Sequence, residues 1–185
     1  MDEKTQIQAL ERKQAVLPMG PGFPEGRSWD YKRNGTIDLF AALNVLDGTV
    51  ITQFHHRHRH QEFLQFLRAI DEGVPPELDA HLVLDNLSVH KHERVRRWLA
   101  RHPRFHFHFV PTGSSWLNAV EQWLSRLTNK RIRRGSFKSV RELVRAIREY
   151  VEAYSRSPRP FVWTKSADEI LRKVGIINQT LVTAH

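Results

Sequence analysis

Two strand-like runs joined by an Asp-Gly pair constrain the fold of this chain more than any other local feature. Residues 36–46 and 49–54 are rich in β-branched and aromatic side chains, and Asp47 and Gly48 lie between them. Tight hairpin turns favour Asp-Gly because their central residues adopt positive φ angles. The sequence therefore predicts an antiparallel pair of strands, which argues against a helical bundle.

Beyond this hairpin, the spacing of apolar residues alternates between helical and strand periods. Helices are predicted over residues 60–70, 92–101 and 139–154 and around Glu121, and strands over residues 82–84 and 105–110. Ser139 and Glu142 offer a capping box for the last helix. This order of elements predicts an α/β fold with a mixed central sheet flanked by helices.

Residues 15–35 are rich in glycine and proline, which predicts an extended loop or arm able to lie across a partner. No shift in composition marks a boundary, so we expect residues 1–185 to form a single domain. No apolar run approaches the roughly 20 residues that span a bilayer, and the polar start lacks the features of a secretory signal. We therefore expect a cytoplasmic protein without membrane contact.

The chain has an excess of basic residues and no cysteine. Lys and Arg number 29 against 20 Asp and Glu, which gives a formal net charge of +9. This balance favours a polyanionic partner. The lack of cysteine excludes disulfides and thiolate metal sites.

Two acidic residues are placed where a hard cation could bind. Asp85 follows the apolar run 82–84 at the expected end of a strand, and Glu121 borders the apolar stripe of a helix that Ser114 or Ser115 could cap. Mg²⁺ prefers such oxygen ligands. Taken alone, Asp85 could instead hydrogen-bond the following turn, and Glu121 could be a solvated helix residue.

Four segments together resemble the catalytic domain of bacterial insertion-sequence transposases of the mariner-like superfamily, the DDE superfamily endonucleases. These segments are MDEKTQIQAL, LVLDNLSVHKH, FVPTGSSWLNAVEQW and PFVWTKSADEIL. The resemblance implies a ribonuclease-H-like fold and a catalytic and metal-binding triad of Asp2, Asp85 and Glu121. It also implies two Mg²⁺ or Mn²⁺ ions, cleavage and strand transfer of DNA at insertion-sequence ends and target sites, a possible homo-oligomer, and a nucleoid-associated location in a bacterium.

Several polar residues near the expected triad have two interpretations each. Asn86, His90 and Asn118 either support the carboxylates or touch DNA, or they are ordinary packing and helix residues. A basic cluster at the end of the Glu121 helix is interpreted as a phosphate-binding track; it comprises Lys130, Arg131, Arg133 and Arg134. Near the C-terminus, Trp163 and Lys165 are expected to close the fold by packing, with DNA contact by Lys165 as the alternative.

The start of the chain departs from the family pattern. In the family the first carboxylate ends or interrupts a central strand, whereas here only Met1 precedes Asp2. We therefore expect an N-terminally truncated catalytic domain, with its first strand largely missing and no upstream helix-turn-helix region. Two alternatives follow: an inactive remnant that binds DNA or a full-length partner, and a ribonuclease-H-like nuclease acting on RNA or a hybrid.

Histidines are concentrated in two short segments. The run HHRHRH at residues 55–60 could bind a transition metal, but successive strand residues point to opposite faces, so a basic turn near DNA is the preferred interpretation. In FHFHF at residues 105–109 the alternation places Phe in the core and His outward. This second segment is interpreted as structural.

Overall fold

The computed structural model describes residues 1–13, 30–111, 117–162, 164, 166, 168–170 and 172. Its strands are β1 (Asp2–Arg12), β2 (Tyr31–Leu43), β3 (Val50–His55), β4 (Ala80–Leu84) and β5 (Phe105–Phe109). Its α-helices are α1 (His60–Gly73), α2 (Glu93–Leu99), α3 (Ala119–Leu127) and α4 (Val140–Ser155). A short 3-10 helix spans Ser88–Lys91, and a π-helical turn, Thr128–Ile132, continues α3.

The predicted hairpin is confirmed by the pairing of β2 with β3. These strands are antiparallel, and Leu43 is opposite Val50 next to the turn. Gly48 has a φ angle of +80°, and a Cβ there would come within 2.1 Å of the carbonyl oxygen of Arg159. Only glycine combines this backbone conformation with so close an approach.

The first strand is present, which corrects the expectation that it is largely missing. Strand β1 runs antiparallel to β2, with Asp2 opposite Ala41, so Asp2 begins the strand instead of ending it. The first residues of β2 pair with the end of β1, with Tyr31 opposite Arg12. Residues 31–35 are therefore strand and not part of an arm, and residues 14–29 of the expected arm lie outside the described residues.

The strands form two sheets, where a single mixed sheet was expected. Strands β1, β2 and β3 form an antiparallel sheet, and β4 pairs with β5 in a parallel one. A hydrogen bond from the amino group of Met1 to the carbonyl of Val83 joins their edges. One such bond is too few to form a ladder, which explains the division into two sheets.

Helices cover both faces of the antiparallel sheet. Leu39 and Ala41 of β2 pack in a core cluster with α3 and α4, whereas Phe40 between them packs in a second cluster with α1, α2, β4 and β5. Alternate residues of a strand point to opposite faces. The α/β class expected from the sequence is confirmed by this arrangement. No helix in the described ranges is long and apolar enough to cross a membrane.

The predicted helix starts are confirmed in part. Ser139 Oγ accepts a hydrogen bond from the Glu142 amide, as expected, but the Glu142 carboxylate accepts from the amide of Lys138, one residue before the cap. Helix α3 begins after Asn118. The proposed caps Ser114 and Ser115 lie outside the described residues, as do Trp163 and Lys165.

Candidate active site

The backbone of Met1 lies where β1, β4 and α3 meet. Its amino group donates to Val83 O over 2.7 Å, and its carbonyl accepts from the side-chain amide of Asn118, also over 2.7 Å. Asn118 is the N-cap residue of α3 and is only 2% exposed. These contacts hold the starts of β1 and α3 against the end of β4. Asn118 is therefore buried beneath the surface of the site, and it acts on the site through the backbone of Met1.

The three residues of the expected triad are carried by these three elements. Asp2 is the first residue of β1, Asp85 directly follows β4, and Glu121 lies in the first turn of α3. Burial raises the pKa of Asp2 to about 7, and the neighbouring charge of Glu3 adds to the shift. The charges of Glu121 and Asp85 raise this pKa further. The pKa of Asp2 therefore responds to the charges of both other carboxylates of the expected triad.

Asp85 makes the turn contact that its sequence position also suggested. Its Oδ1 accepts a hydrogen bond from the amide of Leu87 at 3.3 Å. The side chain is 32% exposed, so the carboxylate remains accessible to solvent. The turn contact and an accessible carboxylate therefore occur in the same residue, and the two interpretations are compatible.

His90 is buried between two carboxylates. Its Nδ1 lies 3.1 Å from Asp85 Oδ1 and 3.2 Å from the Asp85 carbonyl oxygen, and its Nε2 lies 3.4 Å from Glu3 Oε1. Burial by itself lowers the pKa of His90, but the contacts with Glu3 and Asp85 more than compensate, and the net direction is upward. His90 is thereby inaccessible to DNA and is placed to orient Asp85.

Glu3 is the site residue that sequence reasoning missed. It pairs in register with Phe40 and therefore lies on the α1 side of the sheet, whereas Asp2 pairs with Ala41 on the other side. Its side chain is only 1% exposed, and among the described residues neither carboxylate oxygen has a hydrogen-bond donor. In the sequence, the feature that could have indicated Glu3 as a site residue is its position directly after Asp2. Because the first strand was expected to be largely missing, no role for Glu3 was predicted.

Asn86 ties together the ends of the parallel strands. Its side-chain amide donates to the carbonyl of Val110 at 2.8 Å, and its Oδ1 accepts from Lys91 Nζ at 2.8 Å. Val110 directly follows β5. The structure therefore places Asn86 as a clamp across the ends of β4 and β5, beside Asp85.

The residues around Met1 fit a hard divalent cation. Asp2, Asp85 and Glu121 offer carboxylate oxygens from three separate elements, and the pKa of Asp2 is raised first by burial and then by the negative charges of Glu3, Glu121 and Asp85. Mg²⁺ and Mn²⁺ favour such oxygen donors. A cation bound there would relieve the repulsion that the carboxylates impose on one another.

The basic cluster beyond α3 is only partly available to a ligand. Lys130, Arg133 and Arg134 are exposed. Arg131, in contrast, donates to the carbonyl of Ala146 and pairs with Glu149 at 2.6 Å, which fastens the π-helical turn to α4. The expected phosphate-binding role therefore fits three of the four residues better than it fits Arg131.

A cleft of about 640 Å³ is lined by residues of the histidine run and by Ser88 and Val89, which directly precede His90. Asp38 is buried at its wall and accepts from the amide of Gln6 at 2.6 Å and from His58 at 2.9 Å. The histidine run does not converge: His55 contacts Gln53, His58 contacts Asp38, and His60 stacks on His92. This dispersal agrees with the interpretation of the run as a basic turn.

Comparison with known proteins gives two matches. The family model described as DDE superfamily endonuclease matches residues 1–144. The insertion element IS630 uncharacterized 39 kDa protein of Shigella sonnei is 30% identical over 96 residues, which is 52% of this chain and 28% of that protein. The aligned part of the chain thus spans less than a third of the length of this relative.

Proposed function

The chain belongs to the DDE superfamily endonucleases, and we propose that it is the catalytic domain of an insertion-sequence transposase that cleaves DNA and transfers the freed strand to target DNA. The observation that supports this proposal most is that the three elements carrying Asp2, Asp85 and Glu121 are held together at the backbone of Met1, and that the charges of Asp85 and Glu121 raise the pKa of Asp2. Carboxylates supplied by a strand start, a strand end and a helix suit phosphoryl transfer assisted by divalent cations.

In this proposal Asp2, Asp85 and Glu121 hold two Mg²⁺ or Mn²⁺ ions. The ions, when bound, supply Lewis acidity at the attacking and leaving oxygens of a phosphodiester. The protein's part is to fix the three carboxylates before substrate arrives. No nucleophilic side chain is needed, because water or a DNA 3′-hydroxyl is the attacking group.

Three further side chains act as positioning residues in this proposal. His90 orients the Asp85 carboxylate through Nδ1, and Glu3 holds the other side of the imidazole. Asn118 fixes the backbone next to Asp2 through the carbonyl of Met1. Outer contacts of this kind set the direction of the ligand carboxylates.

DNA is the proposed substrate class and partner. The net charge of +9 provides a general attraction for polyanions. Lys130, Arg133 and Arg134 lie beyond the end of the helix that carries Glu121, and Lys130, the first of them, is roughly 13 Å from Glu121 along the helix at a rise of about 1.5 Å per residue. Phosphates of a strand that passes the carboxylates would be within reach of this cluster.

A ribonuclease-H-like fold for residues 1–185 as one catalytic unit is part of the proposal. Support comes from the antiparallel β1–β2–β3 sheet, the neighbouring parallel β4–β5 pair, and helices on both faces. The contact between Met1 and Val83 sets the edge of β1 beside β4. Asp2 and Asp85 would then lie on adjacent strands, as the family resemblance implies.

The decisive test compares metal binding with DNA cleavage in the same preparation. Mn²⁺ is titrated by calorimetry into the untagged chain, and nicking of supercoiled plasmid is followed with Mn²⁺ or Mg²⁺. We expect Asp85→Asn and Glu121→Gln to abolish both signals. Glu152→Gln removes an exposed carboxylate from α4 and is the matched control, which should behave as the parent chain.

Two outcomes would overturn the proposal. A folded chain that binds no Mn²⁺ is an inactive remnant, whose remaining role is to bind DNA or a partner chain. Cleavage that requires a ribose 2′-hydroxyl, measured with RNA–DNA hybrids against DNA duplexes of equal sequence, identifies a ribonuclease-H-like nuclease instead.

A further inference from the structure

Three histidines share the outer face of the two-stranded parallel sheet. His81 of β4 is directly opposite His106 of β5, and His108 is opposite Val83, one step along the same face. On the inner face, Ala80, Leu84 and Phe105 are buried in the core. Alternation thus concentrates the imidazoles on one surface, because β5 carries histidine at every second position.

The side chains on this face are within ligand distance of one another. One ligand atom from each of Asp79, His81 and His106 lies within 4.8 Å of the others. His106 Nε2 is 3.7 Å from Asp79 Oδ2, and the rings of His81 and His106 stack with centroids 4.7 Å apart. Ligand atoms around tetrahedral zinc are about 3.3 Å apart, since zinc bonds are about 2.0–2.1 Å long. Small side-chain rotations would bring the three groups to that spacing.

His108 supplies the outer contact that a metal-binding histidine requires. Its Nε2 lies 3.0 Å from Nδ1 of His81. If His81 donates its Nδ1 hydrogen to His108, its Nε2 carries the lone pair for a metal. Metal-binding histidines are normally held in one tautomer by a contact of this kind.

From this arrangement we propose that Asp79, His81 and His106 form a second metal site, selective for Zn²⁺ or a similar transition metal, with His108 as the positioning residue. Imidazole ligands favour Zn²⁺, Ni²⁺ and Cu²⁺, whereas the all-carboxylate triad favours Mg²⁺ or Mn²⁺. Asp79, His81 and His108 are exposed, so an ion can enter from solvent. The proposal departs from the interpretation of FHFHF as structural.

The site links the two short strands β4 and β5. Asp79 and His81 lie at the start of β4, and His106 lies on β5, so a bound ion is a cross-link between the strands. Asp85 follows β4 directly. Zinc would therefore stabilise the segment that carries this carboxylate, without contact with the carboxylate itself. The proposal does not depend on the proposed transposase activity.

Calorimetry with Zn²⁺ on the untagged chain tests the site. We expect one equivalent to bind in the parent chain, in Asp85→Asn and in His56→Ala, which removes an exposed imidazole from the histidine run. His81→Ala and His106→Ala should each lose that equivalent. His108→Ala should retain it with at least tenfold weaker affinity, and Co²⁺ should give the visible absorption of a tetrahedral site only where His81 and His106 are both present.

Two results would overturn the second site. Zn²⁺ binding that persists in both His81→Ala and His106→Ala places the ion elsewhere. Loss of binding in Asp85→Asn assigns it to the triad. Melting temperatures in EDTA serve as the folding control for every variant, and His81→Gln provides a second substitution of the same exposed position if His81→Ala unfolds.

Discussion

The side-chain amide of Asn118 donates to the carbonyl of Met1 over 2.7 Å, in a position that is almost fully buried. One hydrogen bond thus couples the start of helix α3 to the start of strand β1. The acidic residues Asp2 and Glu121 follow these two positions along the chain. The geometry of the candidate site is consequently sensitive to a residue that is inaccessible to substrate.

Asn118→Ala should therefore lower stability and disturb the site together. Loss of a buried hydrogen bond that leaves the Met1 carbonyl without its donor costs about 1–3 kcal/mol. Urea unfolding measures this change. Asn129→Ala is the control, since exposed Asn129 contacts only the side chain of Arg133 among the described residues, and its effect should be within about 0.5 kcal/mol. Equal effects of the two substitutions would contradict the anchoring role.

Asp2→Asn should have opposite effects with and without metal. In EDTA at pH 8 it removes a buried charge that Glu3, Asp85 and Glu121 repel, so the melting temperature should rise, by roughly 2–4 °C for each kcal/mol relieved. With Mn²⁺ added, the parent chain should gain stability and Asp2→Asn should not. A fall in melting temperature in EDTA would show that the Asp2 carboxylate is not under repulsion.

His90 and Glu3 should behave as a coupled pair. Removing one partner of a buried charged pair is strongly destabilising, by about 3–5 kcal/mol, because the other is left without compensation. The double variant His90→Ala/Glu3→Gln should lose less than the sum of the single variants, with a coupling energy of about 0.5–3 kcal/mol. Urea unfolding of all four proteins provides the cycle. Additive losses would mean that the 3.4 Å contact carries no energy.

Glu62 should contribute stability that is lost in acid. The hydrogen bond from the Arg59 side chain lowers the pKa of Glu62 from its usual value of 4.5 to about 2. A lowered pKa in the folded state means that the contribution is complete above pH 4.5 and disappears as the pH falls through about 2. Glu62→Gln should cost at most about 1 kcal/mol at pH 7, because the pair is near the surface. Near pH 2 the variant and the parent should be equally stable, as measured by urea unfolding at each pH.

Neutralising the basic cluster beyond α3 should weaken DNA binding and flatten its salt dependence. The triple variant Lys130→Gln/Arg133→Gln/Arg134→Gln should reduce the slope of log affinity against log salt by up to about 3, near 0.9 for each phosphate that is no longer neutralised. A variant with glutamine at Arg68, Arg96 and Arg101 removes the same charge from exposed positions on α1 and α2 and just beyond α2. Both slopes are measured by fluorescence anisotropy titration. Equal slopes for the two variants would show that DNA binding depends on the total charge and not on the position of the cluster.

Local patterns in the sequence predicted the hairpin and the long helices, whereas strand β1 and the first residues of β2 were missed. Gly48 marked the hairpin because the turn requires its positive φ of +80°, which favours glycine. The apolar spacing located α1 and α4, whose buried faces repeat at the helical period. Such features depend on a few neighbouring residues, so they can be predicted without knowledge of the tertiary structure.

The arrangement of the site depended on contacts between distant segments, which periodicity does not describe. Glu3 was missed because the strand that carries it was expected to be largely missing, and because its contact with His90 comes from the segment that follows β4. The availability of Arg131 could not be foreseen, because its partner Glu149 lies on another helix. The convergence of His81 and His106 likewise required the register of β4 against β5.

Strand β2 contributes side chains to both hydrophobic cores: Leu39 and Ala41 face one, and Phe40 faces the other. Neither half of the molecule can rearrange around this strand without exposing apolar surface of the other. Damage to β2 should therefore spread to α1 and α4 alike, and we expect the two halves to melt in one step. We therefore expect the positions least tolerant of substitution to lie in β2, among apolar side chains that take no part in the chemistry.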